Sequence, residues 1–135
     1  MKELEIISKV VKIQNSDEKI FKFYSDFRNL SAIIPPEVSN WEADENSCSF
    51  DAKGQKVEIL IESREPNKTI KYCSGTSSPI KFNMWIQLQQ ISAYETAARI
   101  VIRAELNFLM RNALKTPLKN ALDQLADIMK VTPYV

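Results

Sequence analysis

Apolar and polar residues alternate along three long runs in the middle and second half of the chain. In 81–90 (KFNMWIQLQQ), Phe82, Met84, Ile86 and Leu88 fall on one side, with Asn83, Trp85, Gln87 and Gln89 on the other. In 57–63 (VEILIES), Val57, Ile59 and Ile61 oppose Glu58 and Glu62. In 96–106 (TAARIVIRAEL), Ala98, Ile100, Ile102, Ala104 and Leu106 oppose Arg99, Arg103 and Glu105. Successive side chains of a strand point to opposite faces, so these runs predict an antiparallel sheet with one dry face. The punctuation agrees: DENS at 44–47, Gly54, Pro66-Asn67, SGTSSP at 74–79 and ISAY at 91–94 all carry turn chemistry. The whole stretch from Val38 to Leu106 reads as a strand meander.

The flanks read differently. Residues 3–13 (ELEIISKVVKI) are rich in β-branched side chains and predict a first strand. Ser16 then stands where a helix cap is needed, with Asp17 and Glu18 near the positive end, and Ile20, Phe21 and Tyr24 recur at helical spacing. A short helix over 16–25 follows, and a second over 27–33 must stop before Pro35-Pro36. After Leu106 the period changes. Leu114, Leu118, Ala121, Leu122, Leu125, Ile128 and Met129 form an apolar stripe at three-and-four spacing, with Asp123 and Asp127 on the polar side. Thr116-Pro117 resembles a cap with proline at the first helical position, so the main helix is expected to begin at 116. Residues 108–115 are then a preceding turn or a kinked extension.

Lengths add a constraint. A helix over 116–130 is about 22 Å long, whereas a strand over 80–90 runs to about 37 Å. Strands that outreach a single helix twist and curl around it. One helix leaves a gap on the concave side unless large side chains such as Trp41, Phe50 and Phe82 fill it.

Composition narrows the chemistry more than the fold. The 135 residues suit one domain, with no linker, repeat or low-complexity stretch. Eighteen basic and 17 acidic side chains leave a net charge of +1, which gives no general drive toward nucleic acid or anionic membranes. Glu3 and Glu5 interrupt any signal-like apolar run, and no segment approaches the roughly 18 apolar residues of a membrane span. The reading is therefore cytoplasmic. Cys48 and Cys73 lack metal-ligand spacing and are read as free thiols. Histidine is absent, which removes the commonest acid–base group and metal ligand. Phosphate-binding loops, zinc spacings and a serine-nucleophile context are missing too. No catalytic residue, metal or cofactor is predicted. The charges of Lys56, Glu58, Glu62 and Arg64, and of Glu95, Arg99 and Arg103, read as ion pairs on solvated strand faces.

The order strand, two short helices, six-strand meander, long helix resembles the START-like helix-grip superfamily. That group includes the birch-pollen-allergen-like (SRPBCC) proteins and small bacterial polyketide cyclase/dehydrase-like proteins. The likeness runs from about Glu3 to Lys130. It is most specific in SDEKIFKFYSDFRNLSAIIPP (16–36) and AELNFLMRNALKTPLKNALDQLADIM (104–129). It implies a single α+β domain over 1–135, with a curved seven-stranded antiparallel sheet wrapped around the C-terminal helix. It also implies an apolar cavity of the kind that often holds a lipid, steroid or polyketide. The superfamily has no invariant catalytic motif, and some members bind proteins instead.

The expectation is thus a small hydrophobic molecule bound between sheet and helix. Ile59, Phe82, Met84 and Ile100 would line the cavity from the sheet, and Leu118, Leu122 and Leu125 from the helix. Tyr72 shares a face with Ile70 and Ser74. It is either a polar anchor for the ligand or a core tyrosine satisfied by backbone. Tyr24 falls near the expected pocket mouth. Two alternatives stay open: a cyclase- or dehydratase-type enzyme on the same scaffold, and an interaction or self-association module using the outward Trp85 or an edge strand.

Overall fold

The computed structural model describes residues 2–34, 36, 38–76 and 78–134, with the backbone alone for Lys2. Strands β1 (Lys2–Ile7) and β2 (Val11–Ile13) open the chain, followed by helix α1 (Asp17–Tyr24) and a 3-10 helix (Phe27–Ala32). Strands β3 (Val38–Ala43), β4 (Ser47–Ala52), β5 (Gln55–Glu65), β6 (Thr69–Ser74), β7 (Phe82–Ser92) and β8 (Glu95–Leu106) then lead into α2 (Phe108–Val131). All pairings are antiparallel, in the order β1-β8-β7-β6-β5-β4-β3, with β2 also on β8. This is the expected curved sheet around a long C-terminal helix. Pro35, half of the proline pair expected to end the second helix, and Ser77 in the 74–79 turn lie outside the described residues.

Local chemistry explains most boundaries. Ser16 caps α1 by accepting from the Lys19 amide at 3.3 Å, and Asp26 caps the 3-10 helix by accepting from the Arg28 amide at 2.9 Å. Asp44 takes the Asn46 and Ser47 amides at 2.9 and 2.8 Å, which closes the β3–β4 turn. Lys53 and Gly54 both adopt positive φ (51° and 75°), the backbone that a tight β4–β5 hairpin requires.

Three expectations need correction. The first strand is interrupted: pairing runs from Ile7 opposite Val101 to Val11 opposite Ala98, so Ser8–Val10 face only Arg99 and Ile100. The extra residue is absorbed as a bulge, in which Ser8 exchanges two 2.8 Å hydrogen bonds with the Ile100 backbone, one of them through its side chain. A second register shift, between Ile61 and Ser63, sets Arg64 opposite Ile70. Arg64 is thereby turned off the solvated face shared by Glu58 and Glu62. Its Nη2 instead donates to the Ser25 carbonyl and to Asn46 Oδ1, both at 2.7 Å. Third, α2 is continuous from Phe108, capped by Asn107 accepting from the Met110 amide at 2.9 Å, and Pro117 lies inside it. Proline removes the donor for the Ala113 carbonyl, but Ala113 is exposed and water can take that role.

The concave face follows from the registers. Phe82, Met84, Ile86 and Leu88 of β7 pair with Ala104, Ile102, Ile100 and Ala98 of β8. Ile70 and Tyr72 of β6 continue the layer, then Ile61 and Ile59 of β5 and Cys48 and Phe50 of β4. Against it pack Ile20, Tyr24 and Phe27 from the first helical segments and Leu122, Ala126 and Met129 from α2.

Candidate functional site

Helix α2 does not lie centrally over the sheet. Its close packing is with β1, β2 and β8, while α1 covers β6 and β7. Polar side chains hold α2 to the sheet edge at the β1–β2 bulge. Asp123 accepts from the Lys9 amide at 2.8 Å, Lys119 donates to the Ile7 carbonyl at 2.9 Å, and the Lys9 ammonium pairs with Asp127 at 2.7 Å. The Lys9 amide, with help from Lys119, holds the Asp123 carboxyl below its usual range, and Asp127 raises the Lys9 ammonium. These contacts satisfy backbone groups that the bulge takes out of the ladder.

The opposite flank of α2 is apolar. Met110, Leu114, Ala121 and Leu125 are spaced four and seven apart and so share one side, turned away from Lys119 and Asp123. Met110, Ala121 and Leu125 are exposed and Leu114 is half-buried. The concave strip on the far side of the sheet is equally unfinished. Trp41, Phe50, Ile59, Ile61, Phe82 and Met84 pack against the core yet remain only partly buried. Trp41 and Phe50 stack there at 5.9 Å between ring centroids. Incompletely buried apolar side chains thus remain both on one flank of α2 and on the β3–β7 part of the concave face, the two surfaces between which a groove would run.

The eight residues chosen from sequence divide by burial. Ile59, Phe82, Met84 and Leu118 are half-buried and pack against the core. Ile100, Tyr72 and Leu122 are 2, 2 and 3% exposed and belong to the closed core. Leu125 is 38% exposed on the free flank of the helix.

Tyr72 carries a polar group, but the fold already uses it. Its hydroxyl donates to the Tyr24 carbonyl at 2.6 Å, beside the Phe27 ring. Tyr134 donates to the Met129 carbonyl at 2.6 Å, which leaves Tyr24 as the donor in the 3.0 Å contact between the Tyr24 and Tyr134 hydroxyls. Phe23 meets both of those rings edge-on. The cluster ties the end of the chain to α1, and burial pushes all three tyrosine hydroxyls upward. Tyr24 therefore belongs to this core cluster. Tyr134 escaped the sequence reading because a lone tyrosine after Pro133 carries no periodicity.

Arg111 was missed as well. It precedes Leu114, Leu118 and Leu122 on the inward face of α2 at three-and-four spacing. Its Nε is buried and has no hydrogen-bond partner among the described residues. A buried donor left unpaired costs about 1–3 kcal/mol, and more for a charged group. The concave positions of β4 to β8 carry no carboxylate or lysine among the described residues. Their thiol, Cys48, is pushed up to about 12, with burial as the main cause. Both cysteines are free.

Trp85 faces outward, as its alternation requires, with the Lys71 ammonium and the Arg103 guanidinium each 5.5 Å from its ring. Two hollows lie elsewhere on the surface, and neither is lined by any of the eight residues chosen from sequence. One, of about 260 Å³, is walled mainly by Glu42, Asp44, Ser47, Ser49 and Glu58, and the other, of about 380 Å³, by Gln14, Ser92, Tyr94 and Glu95. No helix among the described residues is long and apolar enough to cross a membrane.

No family model matches the sequence, and a search of curated proteins finds no match. Solved structures do match. A norcoclaurine synthase point mutant from Thalictrum flavum, in complex with a transition-state analogue, has a TM-score of 0.77 at 11% identity, over 96% of this chain and 92% of that one. The Aha1 dimer from Colwellia psychrerythraea gives 0.62 at 18% identity, over 95% and 97%. A START superfamily protein from Mycobacterium smegmatis gives 0.59 at 15% identity, over 91% and 98%. At such identities the likeness is one of fold, and the fold is START/Bet v 1-like.

Proposed function

We propose that this START-like helix-grip domain binds a small hydrophobic molecule in the groove between α2 and the concave face of the sheet. The observation that carries the reading is the half-buried apolar strip of Trp41, Phe50, Ile59, Ile61, Phe82 and Met84 on the part of the sheet that α2 does not closely pack against. Large apolar side chains left partly in water across a concave surface gain about 25 cal/mol for each Å² that a ligand covers. Met84 suits such a wall because its unbranched side chain adapts to different shapes. The norcoclaurine synthases of the same fold, one with a transition-state analogue and one with dopamine and hydroxybenzaldehyde, are in keeping with a small-molecule role for this scaffold.

Binding is favoured over cyclase or dehydratase chemistry. Cys48 and Tyr72 on the concave face are held in their protonated forms by burial, so neither is poised for proton transfer near neutral pH. The interaction-module reading is weakened by the two cations that already cover Trp85.

Native mass spectrometry of protein purified from its own host, followed by denaturing extraction, tests the proposal. A stoichiometric hydrophobic compound is expected. Met84→Trp should fill the groove and lower uptake of that compound at least tenfold while unfolding stays cooperative. An empty protein that takes up nothing from a lipid and polyketide panel would overturn the reading.

A further inference from the structure

Arg111 is the one described side chain on the inward face of α2 whose chemistry the apolar groove leaves unexplained. It stands one turn before Leu114 and two before Leu118, so its guanidinium is carried at the N-terminal end of the lining stripe. The Nε atom is out of contact with water and without an acceptor among the described residues. Arginine cannot escape by losing its proton, unlike a buried lysine or carboxylate. The usual remedy would be a facing carboxylate, and the concave positions of β4 to β8 supply none among the described residues. The carboxylates that α2 itself contributes, Asp123 and Asp127, sit on the other flank and are engaged by Lys9 and Lys119.

We propose that Arg111 is an anion-recognition residue, and that the groove takes an amphiphile with a carboxylate head at Arg111 and an apolar body along Phe82, Met84, Leu114 and Leu118. The inference rests on the groove being a binding site. A planar guanidinium matches a carboxylate in a two-point hydrogen bond, and Arg111 is half-buried with its Nε out of water. The ligand would thus supply the acceptor that the fold withholds. Head and tail are arranged along the helix axis: from Arg111 to Leu125 the axis advances about 21 Å. That length accommodates an extended alkyl or polyketide-like chain. Preference for the charged head would come from Arg111, and affinity for the tail from apolar burial.

Decanoate and decan-1-ol separate the two contributions, since they share a chain and differ in the head. Calorimetric titration of the full chain at neutral pH is expected to give decanoate at least tenfold tighter binding than the alcohol. Arg111→Gln should abolish that preference and leave the alcohol's affinity unchanged, while Arg111→Lys keeps part of it. In the ligand-free protein, Arg111→Met, which carries no donor at the Nε position, should leave the melting temperature unchanged or raise it, because an unpaired buried donor is removed. Equal binding of acid and alcohol by the unaltered protein would overturn the role of Arg111 and leave the groove standing. Binding of neither would overturn both. A lowered melting temperature in Arg111→Met, with the acid preference intact in Arg111→Gln, would assign Arg111 to the fold instead.

Discussion

Ile100 and Ile59 are the same side chain at corresponding concave positions of one sheet, yet Ile100 is 2% exposed and Ile59 is half-buried. The difference lies in what covers them. Strands β1, β2 and β8 receive α2, held down by Asp123, Lys119 and the Lys9–Asp127 pair. Strands β4 and β5 receive no helix with comparable packing among the described residues. One half of the sheet therefore forms the stable core, and the other keeps apolar surface in reserve. Hydrophobicity alone does not distinguish a core residue from a lining residue; the position of the covering element does.

The largest expected effect is on stability. Leu122→Ala, in the closed half, should lose about 2–5 kcal/mol in urea unfolding, whereas Ile59→Ala, in the open half, should lose about 1 kcal/mol. Equal losses would erase the distinction between the halves. Tyr72→Phe comes next. It leaves the Tyr24 carbonyl unpaired and should cost about 1–3 kcal/mol, with ligand affinity unchanged because the hydroxyl is already committed. A loss of affinity without a loss of stability would return Tyr72 to the role of ligand anchor.

Thiol labelling probes the open half without a ligand. Near pH 8, Cys73 should react in the native state. Cys48, buried and pushed up to about 12, should stay silent until unfolding. Rapid Cys48 labelling would mean that the β4–β5 region opens far more readily than its packing implies.

The smallest effect concerns the polar staple. The Asp123 carboxyl is lowered by the Lys9 amide, so its contribution to stability is present above pH about 4 and is lost as the pH falls through its lowered folded value. Asp123→Asn should remove that contribution, lowering stability slightly at neutral pH, leaving it unchanged below the folded value and so flattening the acid limb of a stability-versus-pH curve. An unchanged acid limb would detach this contact from the closed half.

Legibility follows the range of the interaction. Alternation in 81–90 and 96–106 located β7 and β8 and their dry faces, because strand periodicity is local. Ser16 located α1 for the same reason. The register shifts near Ser8 and Glu62 carried no local mark, and the second of them moved Arg64 from the solvated face to a contact with Ser25. Pro117 misled because proline at a helix start and proline inside a helix differ only in what precedes them, and Asn107 supplied the earlier cap. Of the candidate site, Ile59, Phe82, Met84 and Leu118 could be chosen from periodicity and resemblance. Arg111 could not, since nothing in a sequence shows that a charge on a stripe has no partner.

The sequence by itself determined the element order, the α+β class and the apolar face of each long strand, all written in spacings of two, three and four residues. Only the tertiary structure decided where α2 rests, which half of the concave face it leaves open, and that Tyr72 bonds to Tyr24. Those depend on contacts between residues tens of positions apart, such as Lys9 with Asp123 or Tyr24 with Tyr134. Such contacts form only after the elements have packed, and no local pattern encodes the partner.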